Sequence, residues 1–164
     1  MEELNVTKPR VLFLCTGNCC RSPMAEAIGH HVAGDKFEFH SAGTTPAGFI
    51  HPLTLETLEE LDISTDALES KGWEEYDGAE FDMVITLCDV AAGEPCPNFA
   101  GPAVKANWFL PDPSFMPGSN EDRLNQARRL AERLKLKIQL LAQLDLDHMD
   151  ADTLQVELNK IADY

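Results

Sequence analysis

From Cys15 to Ser22 the sequence reads "CTGNCCRS", three thiols and a guanidinium within eight residues. Such a cluster suits four kinds of chemistry: thiols as core filler, a metal site, a disulfide, or a nucleophile beside a bound anion. The pattern is C-x5-R-S, set between an apolar run and a helical stretch. A loop of this length can curl so that successive backbone N–H groups converge, and the helix start adds its own N–H groups and partial positive charge. Arg21 offers a planar fork matched to two oxygens of a tetrahedral oxyanion. Donors that hold such an anion would also hold a thiolate at Cys15. Gly17 is the expected site of a turn that a side chain would hinder.

Two further thiols, Cys88 and Cys96, lie in "TLCDVAAGEPCP". Five cysteines are an odd number, and in a chain expected to sit in a reducing compartment they argue against structural disulfides. They also lack paired C-x2-C knuckles, and an arginine beside the ligands would disfavour zinc, so no metal site is expected. His30, His31, His40, His51 and His148 show no ligand spacing, and Trp73 and Trp108 read as packing residues. Asp112-Pro113 reads as a turn or as a carboxylate presented to a site.

The elements that must position these groups alternate. "VLFLC" (Val11 to Cys15) is a continuous apolar run, the mark of a strand buried on both faces. Ser22 as cap with Pro23 at the first helical position predicts a helix ending near Gly34. "KFEFHSAG" predicts a short strand, "HPLTLETLEELDI" a helix, Met83 to Leu87 a second buried strand, and "VKANWFLPD" a fourth extended segment. Leucines at helical spacing predict a helix from Asn120 to about Leu144, and another spans roughly Ala151 to Ala162 with Asp150 or Asp152 as cap. Alternation of this kind implies an α/β fold, three-layered α/β/α, around a four-stranded parallel sheet. Residues 1–145 would form the main domain and 146–164 a helical extension of it. Ligands of such sheets collect at the C-terminal strand ends, where Cys15, Cys88 and Asp112 all fall.

Composition narrows the partners. The 164 residues suffice for one domain, and 44% hydrophobic content supports a core. A formal charge of −15 argues against nucleic acid or an anionic membrane as partner. No apolar stretch is long enough to cross a bilayer and "MEELNVTKPR" holds no signal-like segment, so a cytoplasmic protein is expected.

The segments "VLFLCTGNCCRSPMAEA", "HSAG" and "LPDPS" resemble the low-molecular-weight protein tyrosine phosphatases and the thioredoxin-coupled arsenate reductases that share their fold, over about Val11 to Ala142. The resemblance implies that Cys15 is a nucleophile and that Asn18 braces the loop. Arg21, with the loop from Thr16 through Gly17, Asn18, Cys19 and Cys20 to Ser22, would bind the oxyanion. Ser22 would hydrogen-bond the thiolate, and Asp112 would give a proton to the leaving oxygen.

The first motif does not separate the two branches, but the later thiols do. A phosphatase needs neither Cys88 nor Cys96, whereas reduction of As(V) needs two electrons, which a cysteine pair supplies by becoming a disulfide. The reductase branch carries thiols at both places, here one residue further apart than usual. The resemblance thus implies arsenate reduction through Cys15, Cys88 and Cys96, with no bound cofactor and with thioredoxin or glutaredoxin/glutathione as external reductant. The alternatives are a tyrosine phosphatase and a redox sensor or anion-binding regulator. Only Phe115 stands where such phosphatases carry tyrosines after the aspartate-proline. Some reductases bind potassium through residues matching Asn18, Glu26 and Ser41, and the ammonium of Lys71 is expected to replace that ion.

Overall fold

The structure is a computed structural model that describes residues 8–76, 78–89 and 101–164. Four strands form one parallel sheet: β1 (Arg10–Cys15), β2 (Glu38–Gly43), β3 (Met83–Thr86) and β4 (Val104–Asn107), in the spatial order β2-β1-β3-β4. The helices are α1 (Arg21–Ala33), α2 (Pro52–Glu60), α3 (Asn120–Ala142) and α4 (Ala151–Ala162). Short 3-10 turns cover Trp73–Tyr76, Pro113–Phe115 and Leu146–His148. The expected α/β class and parallel four-stranded sheet are present.

β1 is central because it can be: Val11 to Cys15 are all buried, so the strand tolerates a neighbour on each side and a layer on each face. Alternation divides the core. Val11 and Phe13 of β1, with Met83 and Ile85 of β3, meet the buried faces of the four helices. Leu12, Leu14 and Val84 face a smaller cluster closed by Phe81, Trp73 and Tyr76. α3 contributes Ala127, Leu130, Ala131, Leu134, Ile138 and Leu141 at helical spacing, and its start is fixed by a reciprocal cap between Ser119 and Asp122. Among the described residues no helix is long and apolar enough to cross a membrane.

Register aligns the strand ends. Cys15 pairs with Gly43, Leu14 with Thr86, and Thr86 with Asn107, so the C-terminal ends of all four strands stand level. The chain order reverses direction between β1 and β3, and that crevice is where a parallel sheet accepts ligands.

One boundary differs from expectation. α1 begins at Arg21 rather than after a Ser22 cap, with Cys20 before it and no side-chain cap. Ser22 is the second helical residue because its hydroxyl is taken by Cys15 and Asn18. Pro23 is tolerated because an N–H in the first turn would have no helical partner.

Candidate active site

The loop from Cys15 to Arg21 is held from outside by its carbonyl groups. The oxygens of Cys15, Thr16 and Gly17 accept the N–H groups of Thr44, Thr45 and Ala47 at 3.3, 2.9 and 2.9 Å. The Cys19 oxygen accepts from His51 N–H at 2.8 Å, and Thr54 Oγ1 donates to the oxygens of Cys19 and Cys20 at 3.3 and 3.4 Å. With the carbonyls turned outward, the peptide planes direct amide groups toward the inside of the curl, the arrangement that suits an anion. Gly43 makes this close approach possible: a Cβ there would lie 2.5 Å from the Thr16 oxygen and 2.9 Å from Asn18 N. The "SAG" at the end of β2 thereby acquires a physical meaning.

Within the loop the residue with left-handed backbone is Asn18, at φ 44°, next to Gly17. Asparagine tolerates this region better than most L-residues, and here its side chain is used completely. Lys71 N–H, which can only donate, gives its proton to Asn18 Oδ1 at 2.7 Å. The amide orientation is thereby settled, and Nδ2 donates to Ser22 Oγ at 2.8 Å and to Ser41 Oγ at 3.0 Å. Ser22, accepting from Asn18, has its hydroxyl proton to give to Cys15 Sγ at 2.8 Å. Ser41 passes its own proton to Glu26 Oε1 at 2.5 Å. Lys71 Nζ lies 3.8 Å from the same oxygen and donates to Glu69 O at 3.1 Å, while the Lys71 contact to Asn18 is made by its backbone N–H. Ser70 joins this bracket through Gly17 O (3.3 Å) and Gly48 N (3.1 Å). Sequence reasoning did not anticipate Ser70 or Thr54, which carry no motif.

Arg21 is almost wholly buried and is aimed by backbone oxygens: Nη1 donates to Leu87 O at 3.0 Å and to Leu110 O at 3.1 Å. Its Nη2 lies 3.6 Å from Asp112 Oδ2. Asp112 caps the Pro113–Phe115 turn, its Oδ1 accepting from Ser114 N (3.0 Å) and Ser114 Oγ (2.6 Å), which leaves Oδ2 toward the guanidinium. Cys15, Asn18, Arg21, Ser22 and Asp112 are therefore brought to one sheet edge.

The four described cysteines are reduced thiols. Burial, with the Asp112 charge second, pushes Cys19 up to about 11 and Cys20 to about 12, so both are protonated at neutral pH. Cys88 is fully buried directly after Leu87, whose oxygen holds Arg21. The ladder continues past β3 through Leu87 N–H to Leu14 O at 2.8 Å. Cys96 lies outside the described residues.

A family model for low molecular weight phosphotyrosine protein phosphatase matches residues 10–150. The chain belongs to this family. It is an enzyme family, and this chain is an enzyme of it. Curated relatives include an arsenate reductase of Staphylococcus xylosus, 34% identical over 79% of this chain and 98% of its own length. Another, from Halalkalibacterium halodurans, is 30% identical over 84% of this chain and 98% of its own. Among solved structures, a thioredoxin-dependent arsenate reductase of Corynebacterium glutamicum superposes with a TM-score of 0.59 at 30% identity, over 85% of this chain and 66% of that one. A low molecular weight protein tyrosine phosphatase from T. tengcongensis gives 0.62 at 28%, over 84% and 100%.

Proposed function

We propose that this chain is a thiol-dependent arsenate reductase. Both branches of the family need the oxyanion loop; the observation that carries the reductase reading is a second thiol, Cys88, one residue beyond the oxygen that holds Arg21. Leu14 pairs with Thr86, so Cys15 lies level with Leu87. Ideal strand spacing, about 4.8 Å between neighbours and about 3.3 Å per residue, allows the Cys15 and Cys88 Cα atoms to approach within about 6 Å. Because alternation turns the side chain after Leu87 to the opposite face, Cys88 must rotate for the sulfurs to meet. Disulfides span about 4.4–6.8 Å between Cα atoms.

The reaction then runs in three exchanges. The Cys15 thiolate, held by Ser22, attacks arsenate bound to Arg21 and the loop amides. An S–As bond forms and an As–O bond breaks, the oxygen leaving as water with a proton from Asp112. The Cys88 thiolate attacks Cys15 Sγ; the S–S bond forms as the S–As pair passes to arsenic, which leaves as arsenite, As(III). Cys96 attacks Cys88, giving a Cys88–Cys96 disulfide and freeing Cys15. An external dithiol of the thioredoxin type, or glutathione with glutaredoxin, returns two electrons. Cys19 and Cys20, protonated at neutral pH, line the oxyanion loop without entering the exchange.

A phosphatase reading rests on the same loop and on Asp112, with a cysteinyl-phosphate hydrolysed by water. The outward position of Phe115, 86% exposed, gives a phosphotyrosine ring little enclosure. Arsenate-dependent oxidation of a thioredoxin system separates the two. Cys15→Ser, Cys88→Ser and Cys96→Ser should each abolish it, while aryl phosphate hydrolysis should survive the last two. Undiminished arsenate reduction by Cys88→Ser would refute the reductase reading.

A further inference from the structure

α4 lies beyond residue 150, where the match to the family model ends. It is nevertheless built into the sheet. Gln155 Nε2 donates to Lys105 O of the edge strand β4 at 2.5 Å. Trp108 is fully buried, and its Nε1 donates to Leu158 O of α4 at 3.2 Å. Leu158 and Ile161 turn into the core. The far end is closed by Lys137 of α3, fully buried, whose Nζ donates to the oxygens of Ile161, Ala162 and Tyr164 at 3.1, 2.9 and 2.6 Å. All three ammonium protons are thus spent on oxygens at the C-terminal end of α4 and just past it, the end where a cation is favoured.

Trp108 begins the segment that supplies two of the site's contacts. Its own N–H bonds to Thr86 O at 2.8 Å, Leu110 O accepts from Arg21, and Asp112 comes two residues later. We propose that α4 is a positioning element of the active site: docked over Trp108 and capped by Lys137, it holds the Trp108–Asp112 segment where that segment aims Arg21 and presents Asp112. The proposal rests on the reading that Arg21 binds the oxyanion. In the proposed exchanges Cys88 must turn toward Cys15, and α4 then steadies the opposite wall. Misplacement of an orienting group by about 1 Å is enough to cost one or two orders of magnitude.

The test uses the full chain in a Trp73→Phe background, so that tryptophan emission reports Trp108. Leu158→Asp places a carboxylate in the core and should expel α4. Trp108 emission should shift to the red and inorganic phosphate, measured by calorimetry, should bind about tenfold more weakly. Val156→Asp, on the half-exposed outer face of α4, should alter neither. Where Leu158→Asp fails to fold, Leu158→Ala makes the same comparison with an expected loss of about threefold. Red-shifted emission with phosphate affinity within twofold of the parent overturns the proposal, as does unchanged emission. A parent chain that binds phosphate but reduces no arsenate would sink the reductase reading and leave this one standing.

Discussion

Asn18 offers a perturbation whose parts can be separated. It is fully buried, sits at φ 44°, accepts one hydrogen bond from Lys71 N and donates two, to Ser22 and Ser41. Asn18→Ala strands the Lys71 N–H, which cannot rotate away, at about 1–3 kcal/mol. The serine hydroxyls can rotate and recover part of their loss. Alanine in the left-handed region adds about 1–2 kcal/mol. The sum is about 2–5 kcal/mol, a large share of a small domain's stability. Asn18→Gly loses the same hydrogen bonds but not the backbone cost, so it should be about 1 kcal/mol more stable than Asn18→Ala. Asn18→Asp keeps the acceptor for Lys71 and the left-handed tolerance but removes both donations. Urea unfolding with linear extrapolation resolves these differences. All three variants should lose turnover by about tenfold or more, because Ser22 no longer has its proton directed at Cys15. Glycine and alanine variants that unfold at the same midpoint would refute the backbone cost, and an Asn18→Ala protein within about 1 kcal/mol of the parent would refute the hydrogen-bond cost.

Gly43→Ala should destabilise by about 1–3 kcal/mol and weaken phosphate binding, because the added methyl would press the Thr16 oxygen and Asn18; an unchanged melting curve would contradict the close approach. Cys19, pushed up to about 11, should react with iodoacetamide about tenfold faster per pH unit between 8 and 10, and mass-spectrometric mapping checks it. Burial, with Arg133 second, pushes Lys137 down to about 8. Its folded value is then below its unfolded one, so the unfolded chain holds more protons between pH 8 and about 10.5. Stability should rise with pH in that window, by about 1–2 kcal/mol once the three carbonyl acceptors are allowed for, and the rise should vanish in Lys137→Met. A stability that falls with pH relative to Lys137→Met would reverse the sign and refute the assignment.

Where local sequence and tertiary demand agree, the fold was legible. Val11 to Cys15 could hardly be anything but a central strand, and the apolar stripe of α3 left little freedom in its length. The α4 boundaries and its Asp150 cap come equally from local signals. The departures fall where a side chain serves the site instead of its own element. Ser22-Pro23 has the composition of a helix start, yet the serine is spent on Cys15 and Asn18. Gly17 is the obvious turn residue, yet the left-handed position went to Asn18, whose amide has three partners waiting. Lys137 reads as one more cation on a charged helix, and nothing within α3 announces three backbone oxygens at the end of α4 and beyond it. Lys71 was legible only through the family resemblance; its backbone N–H, which orients Asn18, was not.

The strand order explains why the chemistry converges at all. A thiol after β1 and a thiol after β3 are 73 positions apart in the chain, from Cys15 to Cys88, yet β1 and β3 are neighbours with no strand between them. Parallel pairing brings their C-terminal ends level, and Leu87 N–H still bonds to Leu14 O one residue past the ladder. The same level edge delivers Gly43 from β2 against the loop and, after β4, the Leu110 oxygen against Arg21. Arg21 therefore reports on three elements at once: its own helix, the end of β3 through Leu87, and the segment after β4 through Leu110 and Asp112. In the proposed relay, an oxidation carried from Cys15 to Cys88 would disturb the Leu87 contact while the Leu110 contact holds. On that proposal the Leu110 and Asp112 contacts keep the guanidinium in place for the next oxyanion.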